Sequence, residues 1–406
     1  MEKLLLMGIN TRILLDSASK LKNYQTYSVS YFSTVDFKKY YSEKHILEQI
    51  PGKSCGIFEE NFNSKDLLEL SQEYMAQVDK IVLSTGISPS DFKGKYRKYK
   101  KKIVGNQDTT DIENKYKFYK KIKNDFLVPK TFKFSCGDDD NHEEIIEILN
   151  QYNDKSFILK PLEGSGGIGV NLLNNNAKDE FKDINLKKLF SNYNGQDFLI
   201  QEYIRGKNIS SSILSSKNQA KSIMISKMLT EHDFAVKNSF KYSGNILPYT
   251  SFNNETISNI AENLILKFGL IGSNGIDMII ADDVDNADGE NIYIIEVNPR
   301  FQGTYECVEK VLGINLLEAH IKASQGELIH VSKAKCCSMK RIIYTKERQK
   351  IGNLLIENVY DIPYDGVIIE KNQPLATIIS YGNNIKEVET NLNKAISDIN
   401  KNIYSY

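Results

Sequence analysis

The chain has 406 residues, too many for one ordinary core, so two to four domains are expected. Its 26% charged residues cancel to zero net charge, so no global field draws it to nucleic acid or to a membrane surface. The apolar runs fall far short of the ~20 residues that span a bilayer. The five cysteines are odd in number and lack C-x-x-C spacing, which argues against a disulfide framework or structural zinc and fits a reducing cytoplasm.

In chain order, a short strand over 3–7 leads into "GINTR", a helix to about residue 22 and a second strand, "YQTYSVSYF". Strand, glycine turn, helix, strand is a βαβ opening, and "DKIVLSTG" adds a later strand to it. The basic run over 93–102 interleaves Tyr96 and Tyr99. That pattern can bind single-stranded nucleic acid, but a solvated linker is the preferred reading, given the neutral total. A helix over 114–126, the strand of "VPKTF" and the acid-led helix of "CGDDDNHEEIIEILNQY" follow.

The next stretch, "FILKPLEGSGGIGV", runs a strand into Lys160 and then places four glycines within 164–169. Glycine at that density weakens regular structure, and phosphate binding by unhindered backbone N–H groups would repay it. "QDFLIQEYI" is a strand. "KNISSSILSS" and "AKSIMISKMLT" alternate and are expected to pair, and "ETISNIAENLILKFGL" is an amphipathic helix. "LLEAHIKASQGEL" is another helix. The tail gives short strands about "DIPYDG" and a last helix from Ile385.

"GIDMIIADD" and "NIYIIEVNPR" carry the chemistry. Paired as an antiparallel hairpin, with Ala281 opposite Ile292, they set Asp277 opposite Glu296, and alternation adds Asn298 to the same face. Met278, Ile280, Ile295 and Val297 then point into the core. Like charges directly opposite destabilise a sheet, and a divalent cation would cancel that cost. An oxygen-only set suits magnesium, with a lysine ion pair as the structural alternative. The acids of the connecting loop, including Asp283, Asp285, Asp288 and Glu290, read as solvated turn residues. The five histidines read as structural or surface groups.

Lys160 with its glycine loop, "LIQEYIRG" and the two acidic strands resemble, in order and spacing, the ATP-grasp superfamily, over roughly residues 111–328. Biotin carboxylase, carbamoyl-phosphate synthetase and D-alanine–D-alanine ligase belong to it. The opening "GINTR…YSVSYF" is most similar to an archaeal-type branch described as ATP-grasp carboligases. The resemblance implies a mixed α/β and α+β architecture. A Rossmann-like domain would span 1–105, an ATP-grasp domain 106–335 with a hinge near 198–206, and a small C-terminal domain 336–406. It implies ATP and magnesium or manganese as cofactors, and a small carboxylate and an amine as substrates, joined with release of ADP and phosphate. No nucleic-acid or membrane partner is implied, and a homodimer stays open. An ATP-binding module without ligase activity and a synthetase- or carboxylase-like enzyme are the alternatives.

Residue by residue, the resemblance assigns Lys160 to the α/β-phosphates, with Gly164, Ser165, Gly166 and Gly167 in a lid over them. Lys115 is the second phosphate lysine, with Lys117 competing. Glu202, Tyr203 and Ile204 would border the adenine, through the backbones of Glu202 and Ile204. Asn208 stands where many members carry an acid for the ribose hydroxyls. Asp277, Glu296 and Asn298 would hold the metal, and Arg300 would steady an acyl-phosphate or its oxyanion. The substrate is expected at "GINTR", residues 237–249 and residues 302–305. "RFQGTYE" lacks the run seen in biotin carboxylase, and no biotin-attachment motif is present.

Overall fold

The computed structural model describes the chain except residues 38–42, 136–140, 165, 174–196, 235, 237–238, 252, 283–290 and 406. Ser165 and the acids of 283–290 therefore lie outside the described residues. The first sheet joins β1 (Glu2–Gly8), β2 (Tyr24–Phe32), β3 (Glu43–Leu47) and β4 (Lys80–Leu83) in the order β3-β2-β1-β4. Its pairings are all parallel, as a βαβ opening requires. Leu4, Leu5, Leu6 and Met7 of β1 are all fully buried, because a central parallel strand is covered on both faces. The basic stretch over 93–102 is largely exposed, with only Tyr96 buried, and is ordered. It folds as a 3₁₀ helix (Gly94–Lys102) in which Lys95 covers the Tyr96 ring, and Lys98 and Lys102 cover Tyr99.

A second, antiparallel sheet joins β5 (Thr131–Phe134), β6 (Phe157–Pro161), β7 (Asn171–Leu173) and β8 (Phe198–Glu202) in the order β5-β8-β6-β7. β6 brings Lys160 and delivers the chain into the glycine loop. The largest sheet has eight antiparallel strands. It includes β9 (Gly206–Ser215), β10 (Ala220–Thr230), β11 (Tyr242–Leu247), β12 (Gly272–Ala281), β13 (Ile292–Asn298) and β14 (Cys337–Tyr344). β15 (Gln349–Ile351) belongs to a small separate sheet with β17 (Ile368–Ile369) and β19 (Ile403–Ser405), while β16 (Val359–Tyr360) and β18 (Pro374–Gly382) complete the large one. Its order is β13-β12-β9-β10-β11-β14-β18-β16. β11 pairs directly with β14, so the sheet runs without a break past residue 336. The α/β architecture with a β-rich C-terminal region is the expected fold class.

One face of β9, β10 and β12 packs on the helix Asn254–Lys267 through Ile209, Ile213, Ile225, Ile257, Ala261, Leu264, Ile276 and Met278. The helices Tyr305–Leu312 and Leu316–Ser324 fill the space between the first sheet and the large one, where Leu4, Leu6 and Leu14 share a core with Val308, Val311, Leu317 and Ile379.

The same junction buries one cation. Arg12, 4% exposed, places its guanidinium 3.1 Å from Asp36, 2.9 Å from Glu306 and 2.7 Å from Asp361. The "GINTR" arginine is therefore committed to three carboxylates from three parts of the chain. Burial alone would raise the Asp361 carboxyl, but Arg12, helped by Lys340, holds it well below the usual range.

Removing one partner of a buried ion network strands the rest. Arg12→Met should cost about 3–5 kcal/mol at pH 7. The paired Asp361 contributes stability above its unfolded pKa and loses it as pH falls toward the folded value. The variant lacks that contribution and can protonate its stranded acids. Urea unfolding should therefore show the gap between wild type and variant narrowing from pH 7 to pH 4.5. A constant gap would mean that the acids do not depend on Arg12.

Candidate nucleotide and metal site

A cavity of about 820 Å³ opens between the two large sheets and the first domain. Its floor is the face of the eight-stranded sheet opposite the apolar helix-covered one. Asp277 on β12 lies directly across the ladder from Glu296 on β13 and, on its other side, from Ser210 on β9. The Ser210 hydroxyl donates to Asp277 Oδ1 at 2.6 Å, and Asn298 Nδ2 donates to Asp277 Oδ2 at 2.9 Å. Burial and the Glu296 charge push the Asp277 carboxyl up to about 6, against those hydrogen bonds and Arg300.

The register differs from the expected one at a single point. A β-bulge between Asp277 and Met278 sets Met278 opposite Ile294 and Ile280 opposite Ile292, so Ala281 does not face Ile292. The extra residue is Ile295. It lines the cavity instead of the core, and Ile294 takes the core place at 2% exposure. The bulge brings Glu296 onto the Asp277 face while keeping Ile292, Ile294 and Val297 in the core.

Lys160 is 5% exposed and donates to Gln201 Oε1 at 2.7 Å; Gln201 is itself fixed by a bond to Thr131. Burial, then the neighbouring Lys115, pulls the Lys160 ammonium down to about 7, with Glu296 opposing. Lys115 opens the helix Lys115–Ile122, donates to the Gly164 carbonyl at 2.6 Å and sits 3.8 Å from Glu296. Lys117 is exposed and pairs with Asp111 at 3.7 Å, so of the two competing lysines only Lys115 faces the cavity. Gly166 accepts from the Tyr242 amide at 2.9 Å, which docks the glycine loop on β11. A Cβ at Gly167, whose φ is +72°, would stand 2.0 Å from the Phe240 carbonyl oxygen, so only glycine permits this approach.

The connection after β8 lines the same cavity through Glu202, Tyr203 and Ile204, and Asn208 follows on β9. The Glu202 amide is spent on the Lys130 carbonyl at 2.8 Å, so a backbone contact from Glu202 must use its carbonyl. Arg300 reaches Thr85 Oγ1 and the Phe301 carbonyl, both at 3.3 Å, and has no carboxylate within ion-pair distance among the described residues. Thr85 was not legible as a site residue, although its β4 glycine turn was. Gln302 bonds Ser210 and Ser212, at 2.8 Å each, and lies over Gly275, where a Cβ would meet its amide at 1.8 Å. Ser210 and Ser212 were readable only as alternate positions of "KNISSSILSS".

No group of three or more His, Cys, Asp or Glu side chains converges among the described residues. The facing pair and Asn298 nevertheless make an all-oxygen set. A buried, raised carboxyl opposite a second acid is the arrangement a hard divalent cation would relieve, its shell completed by water and phosphate oxygens. Lys160, Lys115 and Arg300 surround the same volume with positive charge suited to a polyphosphate. His320 is a structural group: burial pulls it down to about 4, and its ring accepts from the Ser273 amide, while His232 lines the cavity. Among the described residues no helix is long and apolar enough to cross a membrane.

The model of the ATP-grasp domain matches residues 112–304, and this part of the chain belongs to the ATP-grasp superfamily. An uncharacterized protein of Methanocaldococcus jannaschii is 32% identical over 394 residues, 95% of this chain and 90% of that protein. The biotin carboxylase domain of Hydrogenobacter thermophilus 2-oxoglutarate carboxylase superposes with a TM-score of 0.72 at 16% identity, over 98% of this chain and 89% of that one. Thermotoga maritima N5-carboxyaminoimidazole ribonucleotide synthetase gives 0.66 at 15% identity, over 100% of both chains. Such a fold indicates ATP-dependent ligase chemistry in general.

An ammonium with a pKa of about 7 is mostly neutral at pH 8, and a polyphosphate favours its charged form. ADP binding at pH 8 should therefore take up protons, seen as a buffer-dependent calorimetric heat, and affinity should fall as pH rises from 7 to 9. Lys160→Met should remove the uptake and weaken binding by about 1.5–3 kcal/mol. Proton uptake undiminished in a folded variant would place the phosphates elsewhere.

Proposed function

We propose that the protein is an ADP-forming ligase of the archaeal-type ATP-grasp carboligase branch, which activates a small carboxylate as an acyl-phosphate and transfers the acyl group to an amine or related nucleophile. The observation that carries this reading is the convergence of Asp277, Glu296, Asn298, Lys115, Lys160 and Arg300 on one cavity. Phosphoryl transfer needs charge neutralisation and alignment more than covalent machinery.

Lys160 and Lys115 bind the phosphates and orient the γ-phosphoryl group. The backbone about Glu202 and Ile204 borders the base, and Asn208 lies toward the ribose. Asp277, Glu296 and Asn298 would hold magnesium, which when bound would supply charge neutralisation to the phosphates. A carboxylate oxygen attacks the γ-phosphorus, the bond to the bridging oxygen breaks, and ADP leaves. The nucleophile then attacks the acyl carbon, phosphate departs, and the amine proton passes to solvent or a phosphate oxygen. Arg300, which among the described residues has no carboxylate at ion-pair distance, stabilises the oxyanion of that second step. The docked glycine loop excludes water that would hydrolyse the acyl-phosphate.

A second reading makes bicarbonate the activated acid. The likeness over 98% of the chain to a biotin carboxylase domain, whose structure is described with MgADP and bicarbonate, favours including it.

ADP release should depend on a carboxylate and a nucleophile together when pools of both, including bicarbonate, are screened. With the active acid labelled in its carboxyl oxygens by ¹⁸O, one label should appear in the released phosphate. Glu296→Gln should keep ADP binding and lose at least about a hundredfold in turnover. ADP release that no acid stimulates, or phosphate without label, would overturn the acyl-phosphate route. A change in Glu296→Gln confined to the melting temperature would make the pair structural.

A further inference from the structure

Across the cavity floor the polar side chains form a row that runs well beyond the carboxylate pair. From Asp277 it passes to Ser210 on β9 and Ser226 on β10, opposite each other in the ladder. Asn245 on β11 donates to the Ser226 hydroxyl at 3.0 Å, and Lys340 on β14 stands directly opposite Asn245. Four strand spacings separate β12 from β14, roughly 19 Å along the sheet. The row thus ends in a lysine far from the phosphate lysines, on a strand that otherwise reads "SMKRIIY".

Lys340 is 5% exposed and lines the cavity. Its ammonium has one partner among the described residues, the Gly303 carbonyl at 2.9 Å, and no carboxylate within ion-pair distance. Asp361, the cavity-wall acid whose carboxyl Lys340 helps to hold down, is already engaged: it accepts from Asn10 at 2.7 Å and from Arg12 at 2.7 Å. The remaining carboxylates of that junction, Asp36 and Glu306, also bind Arg12. Asp361 offers Lys340 a charge only from beyond ion-pair distance, and one shared with Arg12, so a buried ammonium with one neutral acceptor in hydrogen-bond reach gains from an anion that comes to it. The wall beside it is formed by Ile342, Ala376 and Thr377, which would accommodate a short carbon skeleton and one hydroxyl contact.

We infer that Lys340 is the anion-binding end of the acceptor subsite: the nucleophilic substrate carries a carboxylate or a phosphate several bonds from its reacting atom, and this group docks on Lys340. The inference rests on the ligase reading for the word acceptor, but the anion subsite itself does not require turnover. The Gly303 carbonyl that holds Lys340 lies three residues from Arg300, so an anion at Lys340 would also fix the segment that carries the proposed oxyanion group. The Tyr242 ring closes the other side, bonded to Asn245, while its amide holds the glycine loop through Gly166. An acceptor seated here therefore touches the strand on which the loop docks.

The test uses the full chain saturated with magnesium and ADP, and reads melting temperature on adding succinate or glutarate in one arm, inorganic phosphate in another and neutral succinamide as control. At least one anion should raise the melting temperature by about 2–3 °C, succinamide should not, and which arm responds tells carboxylate from phosphate. Lys340→Met and Lys340→Gln should lose that increment while keeping the rise caused by ADP, and Lys340→Arg should restore it. The ADP rise shows that a variant is folded. An anion increment that survives in folded Lys340→Met or Lys340→Gln would move the anion to Arg300 and overturn the subsite. An equal effect of succinamide on the wild type, or no response to either anion, would also overturn it without any variant. ADP release that no carboxylate–amine pair stimulates, beside an intact Lys340-dependent increment, would instead remove the ligase reading and leave the anion site standing.

Discussion

Two carboxylates stand directly opposite each other on adjacent strands, at the floor of a cavity, and most of the surrounding chemistry answers to that fact. Opposed like charges cost free energy in any sheet, and more where water is scarce. The protein meets part of that cost with hydrogen bonds from Ser210 and Asn298 to Asp277, and with Lys115 and Arg300 nearby. What is left is a raised Asp277 carboxyl, the mark of a charge not fully compensated by the chain itself. The bulge at Ile295 has the same purpose, since without it Glu296 and the core residues Ile292 and Ile294 could not both keep their faces.

Holding such a pair in register demands a stiff frame. The eight-stranded sheet supplies it by running from β13 to β16 through strands of the central and C-terminal parts of the chain. Arg12 then locks the first domain to that sheet through Asp36, Glu306 and Asp361. Lys160, on a different sheet, faces the pair across the cavity, and the glycine loop bridges the two through Lys115 and Tyr242. The geometry divides labour between a rigid floor and a cover held by a few backbone contacts, which suits a reaction that must admit substrates and then exclude water.

Much of this was legible in the chain. Strand alternation was enough to set Asp277 against Glu296 and to add Asn298, because a period of two leaves no other face. The glycine loop and Lys160 announced themselves by composition. The failures have local causes. Periodicity assumes a regular ladder, so one extra residue misplaced Ile295 and shifted Ala281. The strand β3 and the helices Ser64–Gln77 and Tyr305–Leu312 were not anticipated. Arg12 looked like a substrate residue, since no local signal shows that its three acids arrive from 24, 294 and 349 positions away. Lys340 had a signal, one of two adjacent cations in an otherwise apolar β run, but that no carboxylate stands at ion-pair distance from it among the described residues appears only once the sheet is assembled.

The claim on which the account turns is that the Asp277–Glu296 pair holds a divalent cation beside the nucleotide. Manganese binding followed by electron paramagnetic resonance tests it without knowledge of the substrates. The wild type with ADP should immobilise manganese at a site that magnesium displaces, and both Asp277→Asn and Glu296→Gln should weaken that binding at least about tenfold while still binding ADP. Manganese held equally well by the folded variants, or by ADP alone with no contribution from the protein, would contradict the account.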